Sequence, residues 1–218
     1  MKEKAPVIIR VLLSALSKNA IFRLTKSEVK AVNTHYFWAL SIPQAAKNAI
    51  AHQLEEVRGH FPFKRWVDKD DYHITFAFLG SAEKDLLQRS IDLIGESIKS
   101  EKTFPLQVQG LGVFGNKKSP RIFWASIKQE NMLESVQSLV FTACLKTGFT
   151  LEKRPFTPHI TLARNWQGTE FNHAWLVSEN PFQQDPITFT ANEVTLYKTN
   201  LEKRPKYEPI ATFSLATE

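Results

Sequence analysis

Cysteine occurs once in the 218 residues, at Cys144, so no disulfide can close within the chain. That thiol sits in an apolar helical pattern with Val140, Phe141 and Leu145, which suits a small core side chain better than a nucleophile and fits a reducing, cytoplasmic setting. Long apolar runs are missing too. The early stretch Val7-Ile8-Ile9 and Val11-Leu12-Leu13 is interrupted by Arg10 and falls well short of the ~20 residues a spanning helix requires, so no membrane association is expected. The basic start before it resembles a secretory signal, but no small-x-small cleavage site follows. His-x-His and Cys-x-x-Cys are absent, which removes the histidine-triad chemistry and the common zinc patterns; Asp68-Lys69-Asp70-Asp71 reads as a solvated loop, and no metal is expected. Low-complexity tracts are lacking, and 43% hydrophobic with 23% charged residues belongs to a folded globular chain.

Most of the chain also lacks an excess of positive charge. Residues 1–30 hold seven Lys and Arg against Glu3 and Glu28, so this leader carries +5 of the net +6. The nearly neutral remainder excludes a broad surface for duplex backbone but leaves room for a focused site holding one terminal phosphate. Residues 1–34 read as a basic extension, either an amphipathic appendage or a poorly structured one.

What is present is a repeat. His73-Ile74-Thr75 recurs as His159-Ile160-Thr161, 86 residues on, and the same offset carries Phe37-Trp38-Ala39 onto Phe123-Trp124-Ala125. Two agreements at one spacing point to a duplicated unit. Of the six histidines, only His73 and His159 have a threonine two residues on. His35–Ile42 reads as a buried strand, followed after Pro43 by a helix to about Arg58; Tyr72–Leu79 is a strand and Glu83 to about Ser100 an amphipathic helix. Phe104–Val113 and Arg121–Ile127 read as strands around a turn at 115–120, with a helix from about Asn131 to Lys146. His159–Ala163, Ile187–Tyr197 and Glu208–Leu215 are further strands, with a polar loop over Asn165–Gln184. The fold class is α+β: residues 35–218 form two related lobes with antiparallel sheets and outer helices, set about an approximate twofold with a central cleft.

In a strand, residues i and i+2 share a face, so each motif presents its His and Thr together while the Ile anchors the opposite side. Across a twofold, two imidazoles and two hydroxyls would surround one point, an arrangement suited to a phosphate. In-line hydrolysis of a phosphodiester needs a base for the incoming oxygen and an acid for the departing one, and two imidazoles titrating near pH 6.5 can divide those tasks. Thr75 and Thr161 can donate to the non-bridging oxygens. The motifs do not say which histidine is the acid.

On these residues the chain resembles the 2H phosphoesterases, named for paired H-x-T-x motifs, and most closely their bacterial RNA 2′,3′-cyclic phosphodiesterase branch, also called 2′-5′ RNA ligases. The likeness covers about residues 35–218. It rests on Tyr36-Phe37-Trp38-Ala39-Leu40 ending at Pro43, His73-Ile74-Thr75-Phe76 through Phe78-Leu79-Gly80, Pro120-Arg121-Ile122-Phe123-Trp124, Arg154-Pro155-Phe156-Thr157-Pro158-His159-Ile160-Thr161-Leu162-Ala163-Arg164, and Leu196-Tyr197 with Tyr207. The resemblance implies hydrolysis of a terminal RNA 2′,3′-cyclic phosphate to a 2′-phosphate without metal, ATP or other cofactor, with His73 as proton donor, His159 as proton acceptor, and reverse 2′-5′ ligation as a side reaction. Arg164 is a further candidate for the phosphate, and Arg154 a weaker one. Lys203, Arg204 and Lys206 form a basic turn that could meet RNA backbone or simply face solvent. Phe76, Phe78 and Trp38 read as core. Two alternatives stay open: the same chemistry on a small cyclic nucleotide, an ADP-ribose cyclic phosphate or a 2′-5′-linked oligonucleotide, and a non-catalytic nucleotide- or RNA-binding module. A monomer is expected.

Overall fold

A computed structural model describes residues 34–217, so the expectations for the leader fall, but for Thr34, outside the described residues. In chain order the elements are β1 (Tyr36–Ser41), α1 (Gln44–His60), β2 (Phe63–Trp66), β3 (His73–Gly80), α2 (Lys84–Ile98), β4 (Phe104–Gly115), β5 (Pro120–Ile127), α3 (Asn131–Thr147), β6 (His159–Trp166), α4 (His173–Ser178), α5 (Pro181–Gln184), β7 (Ile187–Ala191), β8 (Glu193–Thr199) and β9 (Tyr207–Ser214). Helix α1 begins behind Pro43, whose lack of an N–H costs nothing at a helix start, and buries Ala46, Ile50, Leu54 and Val57 at helical spacing. Helix α3 buries Leu133, Val136, Val140, Ala143 and Cys144. It stops at Gly148, whose φ of 105° lets its N–H cap the Cys144 and Leu145 carbonyls. Cys144 is a fully buried core residue, and burial pushes its thiol up to about 12, so it is no nucleophile.

The strands join in the order β7-β4-β5-β6-β3-β1-β8-β9, with β2 added beside β6. One pair, Ile74↔Ile160, connects the β6 half to the β3 half, and both isoleucines are fully buried. Burying a side chain of that size is worth roughly 2 kcal/mol, so the Ile of each motif holds the two halves together beneath the histidines. The order is symmetric about this joint: β6 corresponds to β3, β5 to β1, β4 to β8 and β7 to β9.

The halves nevertheless interleave along the chain. What reads in the sequence as one late strand, Ile187–Tyr197, divides at Asn192; β7 goes to one edge of the sheet while β8 pairs with β1 in the other half. The expected polar loop over 165–184 contains α4 and α5, and β2 has no counterpart among the expected strands. The Phe-Trp-Ala repeats are also displaced. Thr75 pairs with Ala39 but Thr161 pairs with Trp124, so Ala39 corresponds to Trp124 and Trp38 to Phe123, an offset of 85 residues where the histidines keep 86. Burial agrees, since Trp38 and Phe123 are both fully enclosed.

Candidate active site

The His-x-Thr motifs open β3 and β6, the two strands that meet at Ile74↔Ile160. Because these strands are antiparallel, His73 lies across from Thr161 and His159 across from Thr75, and strand alternation puts all four on the face opposite the two isoleucines. Both imidazoles are anchored alike. His73 Nδ1 lies 2.7 Å from the Asp71 carbonyl oxygen, and His159 Nδ1 lies 2.7 Å from that of Thr157. A carbonyl only accepts, so each Nδ1 carries the proton and each Nε2 is directed to chemistry. His73 Nε2 is 3.0 Å from Thr75 Oγ1, whereas His159 Nε2 has no protein partner among the described residues.

A bulge follows each motif and places the next residue of the site. Pairing runs from Ala39↔Thr75 to Trp38↔Ala77, skipping Phe76, and from Trp124↔Thr161 to Phe123↔Ala163, skipping Leu162. Two successive side chains are therefore buried in each strand, Phe76 with Ala77 and Leu162 with Ala163, and the following residue returns to the cleft face. In β6 that residue is Arg164, and in β3 it is Phe78. The guanidinium is near enough to both imidazoles to lower their proton affinity, and it acts likewise on the Tyr207 hydroxyl. Phe78, expected in the core, is 57% exposed because the bulge turns it outward.

The two histidines differ in their surroundings. His73 is enclosed by Phe37 at 4.7 Å, Tyr207 at 5.0 Å edge-on and Tyr197 at 6.0 Å between ring centroids. This apolar wrapping disfavours the imidazolium and takes its pKa from 6.5 to about 4; the Asp71 carbonyl opposes the fall, while His159, Lys47 and Arg164 add to it. His159 packs edge-on to Phe114 at 5.0 Å and Trp124 at 6.1 Å. Its pKa is also lowered, chiefly by burial and further by Arg164. The acidic run 68–71 is not simply a solvated loop, because Asp71 is 5% exposed: its carboxylate accepts from the backbone N–H of Lys206 at 2.8 and 3.0 Å and of Tyr207 at 2.9 Å. One residue thus fixes His73 through its carbonyl and, through its carboxylate, the strand start that brings Tyr207 against the His73 ring.

Arg154 is exposed and paired with Glu152, and Lys203 pairs with Glu208 at 3.3 Å. Among the described residues no cluster of three or more His, Cys, Asp or Glu could hold a metal ion, and no helix is long and apolar enough to cross a membrane.

Residues 46–203 match the family model of the 2′-5′ RNA ligase superfamily. The chain belongs to that superfamily. An RNA 2′,3′-cyclic phosphodiesterase from Bacillus subtilis is 31% identical over 185 residues, covering 85% of this chain and 98% of the relative. One of the same name from Geobacillus stearothermophilus is 40% identical over 190 residues, covering 84% of this chain but 57% of the relative. The chain thus spans little more than half the length of the Geobacillus protein. The fold is that of Escherichia coli LigT, solved with 3′-AMP (TM-score 0.66), and of TT0787 from Thermus thermophilus (TM-score 0.67). Each is 23% identical; the matches cover 84% of this chain and 99% of theirs. The curled antiparallel half-barrel with several helices that this chain shares with them agrees with the α+β reading. Asp71 and Phe114 carried no functional signal in the sequence; Phe37, Tyr197 and Tyr207 stood within the matching segments but without an assigned task.

Proposed function

We propose that this protein is an RNA 2′,3′-cyclic phosphodiesterase that opens a terminal cyclic phosphate to a 2′-phosphate by two-histidine acid–base catalysis. The observation that carries the proposal is the pair of imidazoles on the two central strands, each with Nδ1 tied to a carbonyl and Nε2 on the cleft face, with Arg164 close enough to influence both. The phosphate sits between them, its non-bridging oxygens taking hydrogen bonds from Thr75, Thr161 and Arg164. His159, whose Nε2 has no protein partner, accepts a proton from water as the new P–O bond forms. The P–O3′ bond breaks, and His73 donates its Nε2 proton to the departing O3′.

The surroundings suit this division. The more strongly desolvated imidazole makes the stronger acid once charged, and the phosphate's negative charge supplies the attraction that loads its proton. Each turnover leaves His73 neutral and His159 protonated, and exchange with solvent resets the pair. The scheme uses no metal, ATP or cofactor. Reversal, with an RNA 5′-hydroxyl in place of water, yields a 2′-5′ linkage through the same groups. Both histidines come from one chain, so a monomer acting on RNA ends in the cytoplasm suffices.

The test is hydrolysis, in chelator, of a short RNA ending in a 2′,3′-cyclic phosphate, with the phosphate position determined. A 2′-phosphate product that falls at least about a hundredfold in His73→Ala and in His159→Ala is expected. Folded wild-type protein that turns over neither RNA ends nor cyclic mononucleotides would favour a binding module; turnover of cyclic mononucleotides alone would move the substrate to small nucleotides.

A further inference from the structure

The second half of α1 builds a cavity that none of the residues assigned to phosphate chemistry lines. Gln53, Glu56, Val57 and His60 stand three and four residues apart, so they share one face of that helix. Trp175 of α4, Glu179 after it and Pro181 at the start of α5 stand opposite, and the space enclosed is about 260 Å³. The Trp175 ring stacks on His60 at 4.3 Å between centroids and meets Phe61 edge-on at 5.1 Å, which holds the indole in place as a wall. Gln53 ties the two sides together. Its Nε2 donates to the Asp185 carbonyl at 2.9 Å and to the Asp185 carboxylate at 3.2 Å.

Both Asp185 oxygens only accept, so the Gln53 amide nitrogen must face them and its Oε1 lies on the other side, buried and without a donor among the described residues. A buried acceptor left in that state calls for an N–H. Glu56 and Glu179 add one carboxylate from each wall, and neither forms an ion pair among the described residues. No Lys or Arg lines the cavity; Arg58, two residues from Glu56, lies over the Trp66 ring at 5.2 Å. Val57, Pro181 and the indole are apolar. This lining rejects anions, nucleotides included, and suits positive charge with several N–H donors. A bare metal ion does not fit either, since no group of three or more His, Cys, Asp or Glu among the described residues could hold one. The volume lies just below the roughly 300 Å³ at which sites for drug-sized ligands begin, so a short chain is the right size.

We propose that this cavity binds a short aliphatic diamine, one ammonium at Glu56 and the other at Glu179, with the methylenes against Val57, Pro181 and Trp175. Gln53 Oε1 accepts a further N–H at the buried end. An amine with one charge satisfies one carboxylate and leaves the other unmatched, and a divalent cation gains nothing from the apolar wall. The ligand bridges α1 to the segment 175–181, so it stabilises the folded chain as well as occupying it. The inference goes beyond the phosphodiesterase reading and stands apart from it, because the cavity and the pair of imidazoles share no residue.

Isothermal titration calorimetry of the full chain with 1,4-diaminobutane, butylamine and magnesium chloride tests this, at low salt and about pH 8, where free imidazole is uncharged. Expected is one diamine per chain with Kd below about 1 mM, and binding at least about tenfold weaker for butylamine and for magnesium. The double variant Glu56→Gln/Glu179→Gln changes two exposed side chains and should weaken the diamine at least about tenfold, each single variant about threefold; thermal melting verifies that all of them fold. Glu134→Gln/Glu202→Gln, which removes two exposed carboxylates that do not line the cavity, should stay within about twofold of wild type. The diamine should also move the indole N–H resonance of Trp175, one of five tryptophans, identified by its loss in Trp175→Phe. No saturable binding up to about 10 mM, butylamine or magnesium binding as tightly as the diamine, equal losses in the two double variants, or an unmoved Trp175 signal would each overturn the site.

Discussion

Acidification should weaken this fold through His73 in particular. The imidazole ordinarily titrates near 6.5, and inside its ring of Phe37, Tyr197 and Tyr207 it does so at about 4. Between those values the unfolded chain binds the proton and the folded one refuses it, so folding stability rises with pH. The stabilisation is complete above the unfolded value, declines as pH falls through 6.5, and is gone below about 4. At ~1.4 kcal/mol per tenfold the full difference is about 3 kcal/mol, and because the ring still meets solvent in the cleft we expect about 1 to 3. Urea unfolding of wild type and His73→Asn at about pH 7.5 and pH 4.5 isolates the contribution, since other titrating groups largely cancel in the comparison. The Asn amide can still donate to the Asp71 carbonyl but cannot take up a proton. Wild type should lose about 2 kcal/mol more than the variant on acidification, about 1 M urea in midpoint at an m-value near 2 kcal/mol/M. Parallel losses in the two proteins would refute the reasoning.

Catalysis should carry the same signature: with one imidazole charged, the other neutral and both pKa values lowered, kcat/KM for cyclic-phosphate hydrolysis should peak between about pH 4 and 6.5, and a peak above 7 would contradict it. Arg164→Ala should cost about ten- to a hundredfold in kcat/KM, with partial recovery in Arg164→Lys. Since the guanidinium lowers both histidines, the optimum should move upward in the Ala variant, and steady-state profiles read both effects. Asp71→Ala leaves the N–H groups of Lys206 and Tyr207 without their carboxylate and should destabilise by about 3 kcal/mol in urea, with Asp71→Asn losing less because one acceptor oxygen remains.

The paired His-x-Thr motifs were legible because the strand period is simple. Two residues apart means one face, so His73 with Thr75 and His159 with Thr161 declare themselves wherever their strands lie. The three long helices were legible for a similar reason, as apolar spacing marks their buried faces and Pro43 marks a start. Bulges defeat that arithmetic. An inserted residue at Phe76 and at Leu162 shifts alternation, and this is why Phe78 faces outward and why the Phe-Trp-Ala repeats align in letters but differ by one in space. Asp71 was invisible for another reason: the backbone groups it satisfies lie 135 and 136 residues away, and nothing local distinguishes it from the exposed Asp70 beside it.

By itself, then, the sequence determined the paired His-x-Thr motifs, the α+β class and the approximate bounds of the three long helices, all set by periodicity and by residues acting on their immediate neighbours. Tertiary structure alone decided that β7 and β8, one residue apart, leave for opposite halves of the sheet and that Asp71 holds Tyr207 against His73. Those features depend on which distant strands pair and in what register, a choice made by burial summed over the whole core and written in no single segment.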